Sequence, residues 1–174
     1  MTATRQHGNA ATRHDAILIK DCDVVVTMDD AGTEISDGSV LIEDGVITWL
    51  GTGRPPRVPA TTVDGRGAVA IPGLINTHHH LYQSLTRARA QEQGLFGWLQ
   101  DLYPVWAGVD LEWVRASTRI GLAELALSGC STTTDHHYVF PNGVGGILEE
   151  EVEVAREIGL RFHPCRGSMD LGRS

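Results

Sequence analysis

The chain has 174 residues, of which 41% are hydrophobic and 21% charged, a balance typical of a soluble globular protein. Its formal net charge of -8 argues against binding to nucleic-acid backbones, because such surfaces need clustered lysine and arginine. No apolar run approaches the ~20 residues needed to span a bilayer, and 3 widely spaced cysteines favour reduced thiols in a cytoplasm over a disulfide framework.

The first part of the chain is β-like after a polar start. Residues 1–14 predict a mobile leader that is neither a signal peptide nor a transit peptide. Short β-branched runs follow at residues 17–19, 23–28, 38–42 and 45–50. The step from Asp44 to Gly45 between two of these runs indicates a hairpin. We therefore expect a small antiparallel β-domain over residues 15–71, a β-sandwich that later sequence completes.

The pattern changes at Pro72 to alternating strands and helices. The predicted elements are a strand ending at His80, two helical pieces within 95–106 broken near Pro104, a helix capped by Asp110 and ended by Gly129, a strand over 130–137, a helix over 147–158 closed by Gly159, and a strand over 160–166. This order predicts an α/β fold with a parallel sheet.

We interpret this second part as the start of a (β/α)8 TIM barrel, a fold whose active sites lie at the carboxyl ends of the strands. A complete barrel takes ~250 residues, so residues 72–174 supply its first three β/α units. We therefore expect the chain to be the N-terminal part of a larger protein.

The candidate site lies where the first predicted barrel strand ends. Alternate side chains of a strand share a face, so His78 and His80 can bind one metal ion while His79 faces away. Imidazole binds zinc and other first-row metals, and a catalytic centre of this kind keeps one coordination position open for water. The pair predicts a metal-dependent hydrolase.

Other polar residues carry weaker predictions. His136 and His137 end the next strand, where one of them could reach the mouth of a pocket, although packing is favoured for both. His163 is expected to be a core histidine. The acidic run from Glu149 to Glu151, together with Glu153, is expected to form a solvated helix face near the positive N-terminus of its helix.

The run from Pro72 to His80, preceded by a small β-domain, resembles the first barrel strand of the amidohydrolase superfamily. With Gln83 it gives the His-x-His-x-x-Gln pattern of the aminohydrolase branch, which contains guanine, cytosine and 8-oxoguanine deaminases and the triazine hydrolases. Segments 81–87, 134–141 and 161–169 look most like the 8-oxoguanine deaminase group.

This resemblance implies roles for particular residues. His78 and His80 correspond to two ligands of one divalent metal ion, zinc or alternatively iron, and Gln83 to a residue that hydrogen-bonds the substrate ring. A planar base also needs an apolar wall, for which we nominate Trp98. The remaining ligands and the acid/base Glu and His are expected after Ser174, so this chain alone is expected to be inactive.

The resulting hypothesis is a hydrolase of non-peptide carbon–nitrogen bonds that converts 8-oxoguanine to urate and ammonia, by attack of a metal-activated water on the amine-bearing ring carbon. One alternative is a triazine, guanine or cytosine amino- or chlorohydrolase, and another is a non-catalytic metal-binding fragment. We expect a small heterocyclic substrate and a cytoplasmic homo-oligomer, with residues 95–106 as a subunit contact and neither nucleic acid nor membrane as a partner.

Overall fold

The computed structural model describes residues 16–168, so the predicted leader, residues 1–14, lies outside the described residues. The chain divides into two compact units, one ending at Pro72 and the other beginning at Gly73. Over the described range, each helix is too short or too polar to cross a bilayer.

The first unit is built on one five-stranded sheet. Its strands are β1 (Ile17–Val26), β2 (Glu34–Glu43), β3 (Val46–Thr52), β4 (Thr61–Asp64) and β5 (Val69–Ala70). β1, β2 and β3 are antiparallel neighbours, whereas β4 and β5 both pair with β1 in parallel. The prediction of an antiparallel domain is therefore wrong for the last two strands, because β2 and β3 supply the long connection that a parallel return needs. The second sheet of a sandwich stays a prediction.

β1 joins two runs that the sequence predicts as separate strands. Its register against β2 shifts between Ile19 and Cys22, and Asp21 has a φ of 56°. Such a bulge adds one residue without ending the strand. The strand therefore continues through a polar stretch that would otherwise indicate a turn.

The predicted hairpin between β2 and β3 is confirmed. Glu43 pairs with Val46 across the turn. The two turn residues, Asp44 and Gly45, have φ values of 50° and 78°, as a type I′ turn requires.

The second unit is a three-stranded parallel sheet with helices between its strands. Its elements are β6 (Leu74–Asn76), a 3-10 helix (Leu81–Thr86), α1 (Leu95–Trp106), α2 (Leu111–Leu127), β7 (Cys130–His137), α3 (Ile147–Ile158) and β8 (Arg161–Arg166). The strand order is β6–β7–β8, and both pairings are parallel. The predicted alternation of strands and helices in an α/β fold is confirmed.

The prediction that the segment 95–106 breaks near Pro104 is wrong, since α1 runs through this residue. Proline has no N–H to donate, yet the next turn closes because the N–H of Ala107 donates to the carbonyl oxygen of Tyr103 at 2.8 Å. The buried ring of Trp106 packs edge-on against Trp98 and so holds the last turn of the helix. The predicted subunit contact in this segment stays a prediction.

The predicted ends of α2 and α3 are confirmed. The side chain of Asp110 accepts the N–H of Trp113 at 2.8 Å, which caps the start of α2. Gly129 and Gly159, just beyond the ends of α2 and α3, both have a φ of 86°, which glycine adopts without a Cβ clash.

α2 approaches the 3-10 helix closely at Gly121. A Cβ at this position would lie 2.5 Å from Cδ2 of the buried Leu81. We expect Gly121→Ala to lower the free energy of unfolding by about 1–3 kcal/mol, because overpacking outweighs the better helix propensity of alanine. Urea denaturation of the full-length protein measures the change.

Gly97→Ala is the matched control, since Gly97 also lies inside a helix, but a Cβ there would meet the flexible end of the exposed Gln93 side chain. This variant is expected to be at least as stable as the wild type. Equal losses for Gly121→Ala and Gly97→Ala would contradict the close approach.

Candidate functional site

The three consecutive histidines lie in the connection between β6 and the 3-10 helix. β6 ends at Asn76, so the predicted strand to His80 is too long and strand alternation does not set the directions of these rings. The ring centroids of His78 and His80 are nevertheless 5.1 Å apart, with the planes at 84°. His79 instead lies against α2, where its Cε1 would be 3.4 Å from a Cβ at Gly121. The connection therefore pairs the first and third rings and separates the second.

One hydrogen bond fixes the tautomer of His80. Its Nδ1 lies 2.8 Å from the carbonyl oxygen of His136, and a carbonyl only accepts, so Nδ1 donates and Nε2 keeps its lone pair. Burial lowers the pKa of His80 despite this hydrogen bond, and the neighbouring imidazoles lower the pKa further. A neutral imidazole that donates its other N–H to a backbone carbonyl is the usual form of a metal ligand. His80 therefore fits a divalent metal ion through Nε2.

Two tyrosines orient Gln83. Its Nε2 donates to the hydroxyl of Tyr82 at 3.0 Å and to that of Tyr138 at 3.2 Å. Burial raises the pKa of Tyr82, which keeps that hydroxyl protonated. With both amide hydrogens engaged, Oε1 of Gln83 is left to accept a hydrogen bond from a ligand.

One cavity of about 400 Å³ brings together the four residues predicted for the site, a volume within the usual range for small-molecule pockets. Trp98 forms part of its wall. The lining residues are His78, His79, His80, Gln83, Ser84, Thr86, Arg87, Ala88 and Trp98. Whether these residues bind a metal ion and a base stays a prediction, but their placement allows both.

The two histidines at the end of β7 point to opposite faces of the sheet. His137 is fully buried, as predicted for packing, whereas His136 is exposed and its ring centroid is 5.6 Å from that of His80. The packing prediction is therefore confirmed for His137 and wrong for His136. The prediction of a core histidine is also wrong for His163, which is exposed. Adjacent side chains of a strand point to opposite faces, and in β8 it is Phe162 that packs against the helices.

Behind the histidines lies a buried polar cluster that was missed from the sequence, formed by Asp135, His137 and Glu151, each 0% exposed. His137 Nδ1 is 2.6 Å from Oε1 of Glu151, and its Nε2 is 2.8 Å from the carbonyl oxygen of Val139. One potential ligand atom from each of the three residues lies within 4.8 Å of the others. Two carboxyl groups and one imidazole thus meet away from water.

The sequence does contain a signal for this cluster. The expectation that the acidic run is solvated is wrong for Glu151, because this residue falls on the buried stripe of α3 with Ile147, Val154 and Ala155. Spacings of three and four residues place it there. On β7, the period of two likewise puts Asp135 and His137 on one face.

The sequence profile of the amidohydrolase family matches residues 69–174. The chain is 48% identical over 139 residues to an 8-oxoguanine deaminase of Pseudomonas aeruginosa, which covers 78% of this chain and 31% of that protein. It is 37% identical over 161 residues to the hydroxydechloroatrazine ethylaminohydrolase of Pseudomonas sp. (strain ADP), with 84% of this chain and 34% of that protein covered.

Solved structures give the same grouping. A triazine hydrolase from Arthrobacter aurescens matches with a TM-score of 0.84 and 34% identity over 91% of this chain and 37% of that chain. An atrazine chlorohydrolase from Arthrobacter aurescens TC1, complexed with zinc, matches with a TM-score of 0.83 and 35% identity over 90% of this chain and 36% of that chain. The chain spans about a third of the length of the curated relatives named above.

Proposed function

The chain belongs to the amidohydrolase family, and from this membership we propose that it carries part of the metal centre of a hydrolase that deaminates a purine-like base. The observation that carries the proposal is the neutral His80 ring, whose Nε2 keeps its lone pair beside His78 in a cavity that also contains Gln83. We also propose that β6, β7 and β8 are the first three strands of a TIM barrel, which the likeness to the triazine hydrolase supports.

We propose one divalent ion, most simply zinc, with His78 and His80 as two of its ligands. Zinc suits imidazole ligands, and a structural relative is complexed with this metal. When bound, such an ion lowers the pKa of water and so supplies a nucleophile at neutral pH. The protein's own contribution here is to hold the two rings side by side, with His80 neutral, before the ion arrives.

We propose 8-oxoguanine as the substrate, which water hydrolyses to urate and ammonia. The 48% identity to an 8-oxoguanine deaminase supports this choice. Gln83 would accept a ring N–H through Oε1, and Trp98 would cover one side of the base. A triazine is the second candidate, because a triazine hydrolase shares the fold of this chain. Comparison of kcat/KM for 8-oxoguanine and for amino-substituted triazines with the full-length protein separates the two.

Gln83→Ala tests the contact with the ring. We expect kcat/KM on the preferred base to fall roughly 10- to 100-fold, the cost of about 1–3 kcal/mol for a ring donor left without its acceptor. Steady-state kinetics on the full-length protein measures this loss. Gln100→Ala, an exposed glutamine on α1, is the control and should keep wild-type kinetics. If Gln83→Ala leaves activity on every purine unchanged, the contact does not exist.

A further inference from the structure

The end of β7 holds the histidine connection through three hydrogen bonds. Oδ1 of Asp135 accepts the N–H of Leu81, the residue after His80, at 2.6 Å. The N–H of His136 donates to the carbonyl oxygen of His79 at 2.9 Å, and Nδ1 of His80 donates to the carbonyl oxygen of His136 at 2.8 Å. Only the bond from Asp135 depends on a side chain of β7, so a substitution at this residue removes it selectively.

Asp135 lies beside Glu151 and His137 in the buried cluster. Burial, and then the charge of Glu151, raise the pKa of Asp135 to about 8, so it is protonated at neutral pH beside Glu151. Oδ2 of Asp135 and Oε2 of Glu151 have no hydrogen-bond partner within residues 16–168. Two adjacent buried carboxyl groups avoid repulsion when one of them is protonated.

The distance between His137 and Glu151 fits a hydrogen bond between them and not two ligands of one metal ion. Their Nδ1 and Oε1 atoms are 2.6 Å apart, whereas two tetrahedral zinc ligands with bonds of about 2.0 Å stand roughly 3.3 Å apart. Nε2 of His137 is also engaged, by the carbonyl oxygen of Val139. Both ring nitrogens of His137 are thus engaged in hydrogen bonds.

We propose that Asp135 is a positioning residue of the metal centre, which fixes the backbone that carries His78 and His80 before the ion binds. The inference rests on the proposed function only in assuming that these two histidines hold a metal. In this proposal Glu151 and His137 act through Asp135, because they enclose its carboxyl group in the buried cluster while Oδ1 accepts the N–H of Leu81. Loss of such supporting partners typically weakens metal binding by 10- to 100-fold.

The test uses the full-length zinc protein with Asp135→Ala and Asp135→Asn. Asparagine keeps an oxygen that can accept the N–H of Leu81, whereas alanine does not. We expect zinc to leave Asp135→Ala 10- to 100-fold faster in the presence of a chelator, and the visible spectrum of its cobalt-substituted form to change. Asp135→Asn should stay within a few-fold of the wild type in both measurements.

Val109→Ala controls for lost stability alone, because Val109 is buried in the apolar cluster around Trp106. It should be destabilised but keep the wild-type release rate and cobalt spectrum. Should Asp135→Ala fail to fold, Asp135→Val fills the space without an acceptor and carries the same expectation. The proposal would be overturned if Asp135→Ala or Asp135→Val released zinc as slowly as Val109→Ala does.

The remaining outcomes separate this inference from the proposed function. A wild-type protein that holds zinc but deaminates no base overturns the proposed substrate. The role of Asp135 is then still decided by the rates at which its variants release zinc. A wild-type protein that holds no zinc overturns both proposals. A second tightly bound zinc, lost in both Asp135 variants, would overturn the positioning role in favour of a metal site in the cluster.

Discussion

Full-length protein with His78→Ala or His80→Ala is expected to lose the proposed zinc ion and at least roughly 10³-fold in kcat/KM. Each substitution removes one proposed ligand, and the activation of water by the ion contributes several kcal/mol to the reaction. The measurement is metal content after dialysis against a chelator, followed by kinetics on 8-oxoguanine with and without added zinc. Added zinc should restore the stripped wild type but neither variant.

His79→Gln is the matched control for this prediction. The ring of His79 lies against α2 at Gly121, apart from the paired rings of His78 and His80, so its loss should leave about one zinc per chain. Equal metal loss in all three variants would contradict the pairing of His78 with His80. Zinc retained in both alanine variants would remove these residues from the metal centre, and a zinc-binding wild type without hydrolysis would favour a non-catalytic metal-binding protein.

Glu151→Ala is expected to lower the free energy of unfolding by about 3–5 kcal/mol, a large share of the stability of an ordinary domain. The substitution leaves a cavity in a fully buried place and removes the partner that lies 2.6 Å from Nδ1 of His137. Guanidinium denaturation of the full-length protein, followed by circular dichroism, measures the loss.

The control for Glu151→Ala lies two residues earlier on the same helix. Glu149 is exposed, so Glu149→Ala should change the free energy of unfolding by less than about 0.5 kcal/mol. If Glu149→Ala and Glu151→Ala lower the free energy of unfolding equally, the burial of Glu151 does not contribute to stability. Glu151→Gln should fall between the two, because it keeps the shape of the side chain but cannot carry the charge.

Elements whose signals are local were predictable from the sequence. The bounds of α3 follow from its apolar period and from Gly159, and the start of α2 from Asp110, since each of these acts within one turn of its helix. The hairpin at Asp44 and Gly45 is local in the same sense. Such signals need no knowledge of the rest of the fold.

The features that were not predicted from the sequence depend on contacts with other elements of the chain. α1 passes through Pro104, where Trp106 of its last turn packs edge-on against Tyr82 of the 3-10 helix, and β4 and β5 pair in parallel with β1. In the site, the pairing of His78 with His80 was predicted from strand geometry, but the rings lie beyond the strand. The buried role of Glu151 was missed because its partner His137 belongs to another element.

The dependence of the histidine connection on β7 has a consequence for the order of folding. Asp135 and Leu81 are 54 residues apart in sequence, and α1 and α2 lie between them. Closing so long a loop costs conformational entropy, which is offset only by the contacts that form once the loop has closed. We therefore expect the rings of His78 and His80 to be unordered in the nascent chain until β7 has paired with β6, so that the proposed metal uptake follows the folding of this unit.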